Sequence, residues 1–162
     1  MNDILSPIEC ERLGLPVAHS GPSTWQIESR DEIAHITNGT DHMNKIDIAE
    51  KFSHFSDHWR PQIVAQLNGQ EVKLVKFKGE FVWHHHENED ELFLVWRGSI
   101  RVEFRAHSVD LKAGEFFVVQ RGHEHRTVAE EEAEVILFEP AGTRNTGNVT
   151  NDHFTAPSGS TV

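Results

Sequence analysis

The sequence predicts an all-β domain, and three observations carry that prediction. Short apolar runs follow one another between residues 62 and 139. Asn68-Gly69, Gly79, Gly98, Gly114 and Gly122 punctuate them. In Arg101-Val102-Glu103-Phe104-Arg105, apolar and charged residues alternate with a period of two, which sets one face of a strand on a core and the other in water. Many short strands broken by Gly and Asn-Gly turns make a sandwich or a barrel.

The elements follow in order. Residues 1–42 are polar, contain Pro7, Pro16 and Pro22, and hold no period of 2 or 3.6, so a mobile N-terminal extension is expected there. From Met43 the texture changes. Ile46, Ala49, Phe52, Phe55 and Trp59 recur at helical spacing until Arg60-Pro61, which predicts a short helix packed against a sheet. Strands are expected over 62–67, 71–78, 81–86, 91–95, 99–105, 115–119, 125–128 and 134–139. The segment after Glu139 is turn-rich, and its end, TAPSGSTV, reads as a loose tail. The chain therefore divides into an extension (1–42), a β-barrel domain (43–150) and a C-terminal tail (151–162).

Composition narrows the function. A length of 162 residues suits one domain with a real core. A formal net charge of −11 argues against a nucleic-acid partner and against an anionic membrane, both of which require clustered Lys and Arg. The expected partner is a small-molecule ligand or substrate. The start, MNDILSPIEC, lacks the basic and apolar regions of a signal peptide, and no run reaches the ~20 residues of a bilayer span. A cytoplasmic location is expected, and the single Cys10 has no internal disulfide partner.

The chemistry concentrates between Gly79 and Gly98, GEFVWHHHENEDELFLVWRG, where three histidines and several carboxylates lie between two strand-like runs. Strand alternation directs His84 and His86 to one face and His85 to the other. Glu91 follows a polar turn and returns opposite them, while His125 approaches from a neighbouring strand. Imidazole and carboxylate together suit one divalent transition metal: Fe, Mn, Ni, Co or Zn. Three His and one Glu leave coordination positions open, as in a catalytic rather than a structural site. Glu91, released from the ion, is also the nearest candidate for a general base.

These residues resemble the two motifs of the cupin superfamily, in the form of small single-domain cupins of the cupin-2 type. His84, His86, Glu91 and Gly98 stand at the spacing of the first motif, and Gly114, Gly122 and His125 at that of the second. Gln120 takes the place usual for Pro, and Gly79 precedes His84 by one residue fewer than usual. The resemblance implies a single jelly-roll barrel with a metal inside its mouth, held by His84, His86, Glu91 and His125. It covers roughly residues 60 to 140. Cupin barrels often pair through their outer sheet faces, and four Trp and ten Phe provide aromatic surface for a homodimer.

The pocket is expected between inward residues of the same strands: Val82, Phe93, Val102, Phe104 and Phe138. Arg121 and Arg126, flanking His125, are further candidates to pair with a substrate anion. The functional expectation is a metal-dependent enzyme acting on a small oxygenated molecule, by dioxygenation or by isomerase or lyase chemistry on a sugar-like or ketoacid substrate. The alternative is a non-catalytic metal- or ligand-binding module. No tyrosine occurs in the chain, so mechanisms built on a Tyr base are disfavoured.

Overall fold

In the computed structural model the described residues are 45–162, apart from Ser158. The expectations for the 1–42 extension and for Cys10 fall outside them.

Helix α1, Ile48–Ser53, starts where the Asp47 carboxylate accepts from the Glu50 N–H at 3.0 Å, satisfying a donor the first turn leaves free. It buries Phe52 in a cluster with Leu74 and Ile136, which contributes roughly 1.5–3 kcal/mol. The helical spacing read as far as Trp59 ends early, at Ser53. Trp59 takes a φ of 61°, and its side chain joins a different, larger cluster from that of Phe52. There it stacks on Phe77 and Phe81 at 4.5 and 4.9 Å, and its indole N–H donates to the Lys78 carbonyl at 3.1 Å.

Seven strands follow: β1 Gln62–Leu67, β2 Gln70–Glu80, β3 Glu91–Arg97, β4 Ser99–Phe104, β5 Ser108–Lys112, β6 Phe116–Val119 and β7 His125–Pro140. Their pairings are antiparallel, in the order β1-β2-β7-β3-β6, with β4 joining both β7 and β5. The result is an all-β jelly-roll architecture whose ladder, among the described residues, does not close into a full ring.

Three details depart from the expected strands. Runs 125–128 and 134–139 are one strand, because the exposed Glu130–Glu132 stretch only marks where β7 passes from β4 to β3. Residues 81–86 form no named strand. They run beside the start of β7, where Phe81 N–H donates to Thr127 O at 2.9 Å, and His84 and His125 exchange backbone bonds at 3.0 and 2.9 Å. Strand β5 was not foreseen, since Leu111 is its single buried residue.

Along β7 the odd-numbered residues Ala129, Ala133, Val135 and Leu137 enter the interior with Phe77, Phe93 and Val75. Gly98 turns β3 into β4 at φ +78°, and a Cβ there would lie 3.0 Å from Glu132 O. Only glycine combines that conformation with that approach.

The segment 151–162, tail-like in composition, is tied down. Ile63 N–H donates to Ser160 O at 2.7 Å and Lys51 Nζ to Val162 O at 2.9 Å. Phe154 packs edge-on against Phe81 at 5.0 Å and Trp59 at 6.1 Å. Among the described residues no helix is long and apolar enough to cross a membrane.

Candidate metal centre

His84, His86, Glu91 and His125 converge as expected. One ligand atom from each lies within 4.8 Å of the others, and all four residues are buried. Ligands at ~2.0–2.2 Å from a common ion stand roughly 3–4 Å apart, so little adjustment separates this arrangement from a coordination shell. Glu91 opens β3 and His125 opens β7. His84 and His86 sit on the extended segment between β2 and β3, with His85 alternating outward to Glu87 at 3.2 Å. Nε2 of His86 and of His125 approach Glu91 Oε2 at 3.2 and 3.5 Å.

The neighbouring backbone sets the imidazoles. Nδ1 of His84 donates to Val82 O, and Nδ1 of His125 to His123 O, each at 3.0 Å. That fixes the proton on Nδ1 and leaves Nε2 with its lone pair turned inward. Nε2 of His86 and His125 and Oε2 of Glu91 are buried without a hydrogen-bond partner among the described residues. Buried acceptors aimed at one point cost free energy unless something positive occupies it, and a divalent metal fits this donor set.

The loop after β7 braces the segment. Asn148 N–H donates to His85 O at 3.0 Å, and Asn148 Oδ1 accepts from His85 N–H at 2.9 Å. Gly147 lies so close that a Cβ would run into the His85 carbonyl oxygen.

The protonation tendencies differ within the cluster. Burial, reinforced by the neighbouring His125, pushes His84 down to about 4. Burial also acts to lower His86, but its contact with Glu91 prevails and leaves it raised. Burial acts to raise Glu91, yet the imidazoles of His125 and His86 beside it hold its carboxyl well below the usual range.

A row of carboxylates extends across the sheet from Glu91. Glu139 stands one position beyond the Leu92–Phe138 pair, and Glu71 pairs with it in register. Lys73 Nζ reaches Glu71 Oε2 at 3.0 Å and Glu139 Oε1 at 2.9 Å, all three side chains being buried. Burial and the charge of Glu91 push Glu139 up to about 7, against the pull of Lys73.

Beside the four-residue cluster lies a small cavity. Its walls include Trp59, Phe77, Phe81, Phe93, Val75 and Leu137, and its polar lining is His84, Glu91, Thr127 and Asn145. Of the expected pocket residues, Phe93 is among them. Val102 is fully buried in the core without reaching the cavity, and Val82 and Phe104 only pack against that core. Phe138 alternates to the opposite sheet face from Leu137 and Glu139. Arg126 points away, paired with Glu103 at 2.7 Å and with Glu80 at 2.5 Å, over the ring of Trp83. Arg121 is exposed beside Asp90. Thr127 and Glu139 went unread because β7 had been divided; as one strand, its parity places both with His125. No sequence signal marks Trp59 as a wall, since its place follows from a left-handed turn.

The cupin domain family matches residues 67–139. The chain is 31% identical over 104 residues to the uncharacterised protein YdbB of Bacillus subtilis, covering 57% of this chain and 86% of that one. The crystal structure of a cupin-2 domain containing protein from Shewanella frigidimarina is similar at a TM-score of 0.58 and 43% identity, over 59% of this chain and 93% of its own. A Neisseria meningitidis protein of known structure is similar at a TM-score of 0.56 and 26% identity, over 60% of this chain and all of its own.

Proposed function

From the premise that this chain belongs to the cupin superfamily, in its cupin-2 branch, we propose that it is a metal-dependent enzyme acting on a small oxygenated molecule. The reaction would be of oxygenase or of isomerase or lyase type. The observation that carries this reading is the convergence of His84, His86, Glu91 and His125 beside an aromatic-walled cavity. A divalent Fe, Mn, Ni, Co or Zn ion held by these four would supply Lewis acidity toward a substrate oxygen or, for iron, dioxygen chemistry.

The residues themselves do the rest. Val82 O and His123 O orient His84 and His125. The aromatic walls line the reacting end with apolar surface, which strengthens the polar contacts there. Glu91, held deprotonated by its histidine partners, is a weak base, which favours its role as a ligand over that of proton acceptor. The test is a turnover and oxygen-uptake screen on metal-loaded protein. Activity lost in folded His84→Ala or His125→Ala protein supports the assignment, and activity unchanged in both overturns it.

The reading includes a homodimer and a cytoplasmic location. The outer sheet face carries Leu92, Leu94, Phe116, Val118 and Phe138, joined by cross-strand register. Phe116 is 63% exposed. Such a face suits a second copy of the chain. Light scattering should return the mass of a dimer; a monomer would contradict this part.

A further inference from the structure

We infer that the molecule bound beside the metal centre is a small monoanion or neutral compound with one oxygenated end and an apolar body, rather than a sugar, a phosphate ester or a dicarboxylate. This rests on the metal-dependent reading above and narrows its substrate class. Two features of the cavity carry it: its charge and its stock of hydrogen-bonding groups.

Charge comes first. Among the described residues no Lys or Arg lines the cavity. Arg126, Arg121 and Lys73 are engaged elsewhere, with Glu103 and Glu80, with Asp90, and with Glu71 and Glu139 respectively. Glu91 and a divalent ion together leave a single positive charge, at the ion. One negative charge on the ligand is matched there. A second would face Trp59, Phe77, Phe81 and Phe93, which have nothing to neutralise it.

Hydrogen-bonding capacity decides against polyols. Asn145 reaches the cavity, but its amide is already used: Nδ2 donates to Trp59 O at 3.3 Å and to Phe154 O at 2.9 Å, and Oδ1 accepts from Ala156 N–H at 2.9 Å. Thr127 is 2% exposed and lies two residues after His125 on the same strand, hence on the same face. It completes the polar lining beside His84, Glu91 and Asn145. A ligand can thus satisfy the oxygens of one head group, at the ion and at Thr127. Further hydroxyls would be buried against aromatic walls without partners.

A matched series of small acids tests this on full-length, cobalt-loaded protein, with binding read from the visible cobalt spectrum. Isobutyrate, glycerate and malonate share a carboxylate and nearly the same size. They differ in carrying an apolar body, two hydroxyls or a second charge. Isobutyrate should bind at least tenfold more tightly than glycerate or malonate. Thr127→Val should weaken isobutyrate roughly fivefold with cobalt content unchanged. Tighter binding of glycerate or malonate overturns the inference while leaving the metal site standing. Failure of cobalt to bind overturns both. Unchanged isobutyrate affinity in cobalt-loaded Thr127→Val removes the role given to that hydroxyl, and the ligand order alone then decides the substrate class.

Discussion

Two buried clusters of charge lie side by side on the same interior face, and they are completed in different ways. In one, Glu71 and Glu139 face Lys73, whose ammonium stands 3.0 and 2.9 Å from them. In the other, Glu91, His86 and His125 aim atoms without a hydrogen-bond partner at a common point, and among the described residues no Lys or Arg pairs with them. The Glu139 oxygens also lack a well-aligned hydrogen bond, so the ion pairs of Lys73 are what set the clusters apart. Buried anions and lone pairs require a cation. The chain supplies its own in the first cluster and leaves room for a metal in the second. The contrast is the physical argument that the second is a binding site and the first a piece of structure.

The sharpest way to break the comparison is to remove the internal cation. Lys73→Met leaves Glu71 and Glu139 buried together, which should cost about 3–5 kcal/mol, read as a lowered urea midpoint with unchanged slope. A loss below about 1 kcal/mol would mean that Lys73 does not complete its cluster. Supplying the missing cation to the other cluster is the converse. A fitting divalent metal at a thousandfold excess over its Kd should stabilise the protein by about 4 kcal/mol, reversibly with chelator. No shift in melting temperature with any of the five metals would remove the distinction between the clusters.

A smaller effect comes from Glu139, which joins the two. Its folded pKa of about 7 exceeds the ordinary carboxyl value of 4.5. The stability it contributes is therefore fully present below pH 4.5 and is lost as pH rises through about 7. Metal-free Glu139→Gln should escape that loss, gaining on the order of 1–3 kcal/mol on the wild type between pH 4.5 and 8. Parallel stability curves for the two proteins would show that the carboxyl does not titrate in this range. The smallest effect concerns protons. His86 is raised above 6.5 while His84 falls to about 4, so metal uptake near pH 6.5 should expel a proton from His86 and none from His84. Calorimetry in two buffers of different ionisation enthalpy measures it, and His86→Ala should abolish the release.

Much of this was legible in the residues. The four converging side chains could be read because two motifs and strand parity both act through spacing, and spacing survives folding. Most strand runs could be read for the same reason; the exceptions are β5, whose face is mostly solvent, residues 81–86, which form no named strand, and β7, whose two apolar runs are one strand. The pocket was less legible. Phe93 was found by parity, but Phe138 was misplaced, because parity along a strand that had been divided loses its phase at Glu130–Glu132. Trp59 and the Lys73 cluster depend on a backbone turn and on contacts across strands, which period alone does not encode. Arg126 looked like an anion partner from its place beside His125, and its neighbours Glu103 and Glu80 take it instead.

The most direct measurement is elemental analysis of untagged protein purified without chelator, alongside the His84→Ala/His86→Ala protein. A transition metal near one per chain in the wild type, and absent from the folded double variant, is the result predicted here. A wild type that is metal-free and stays empty after reloading would contradict the account at its centre.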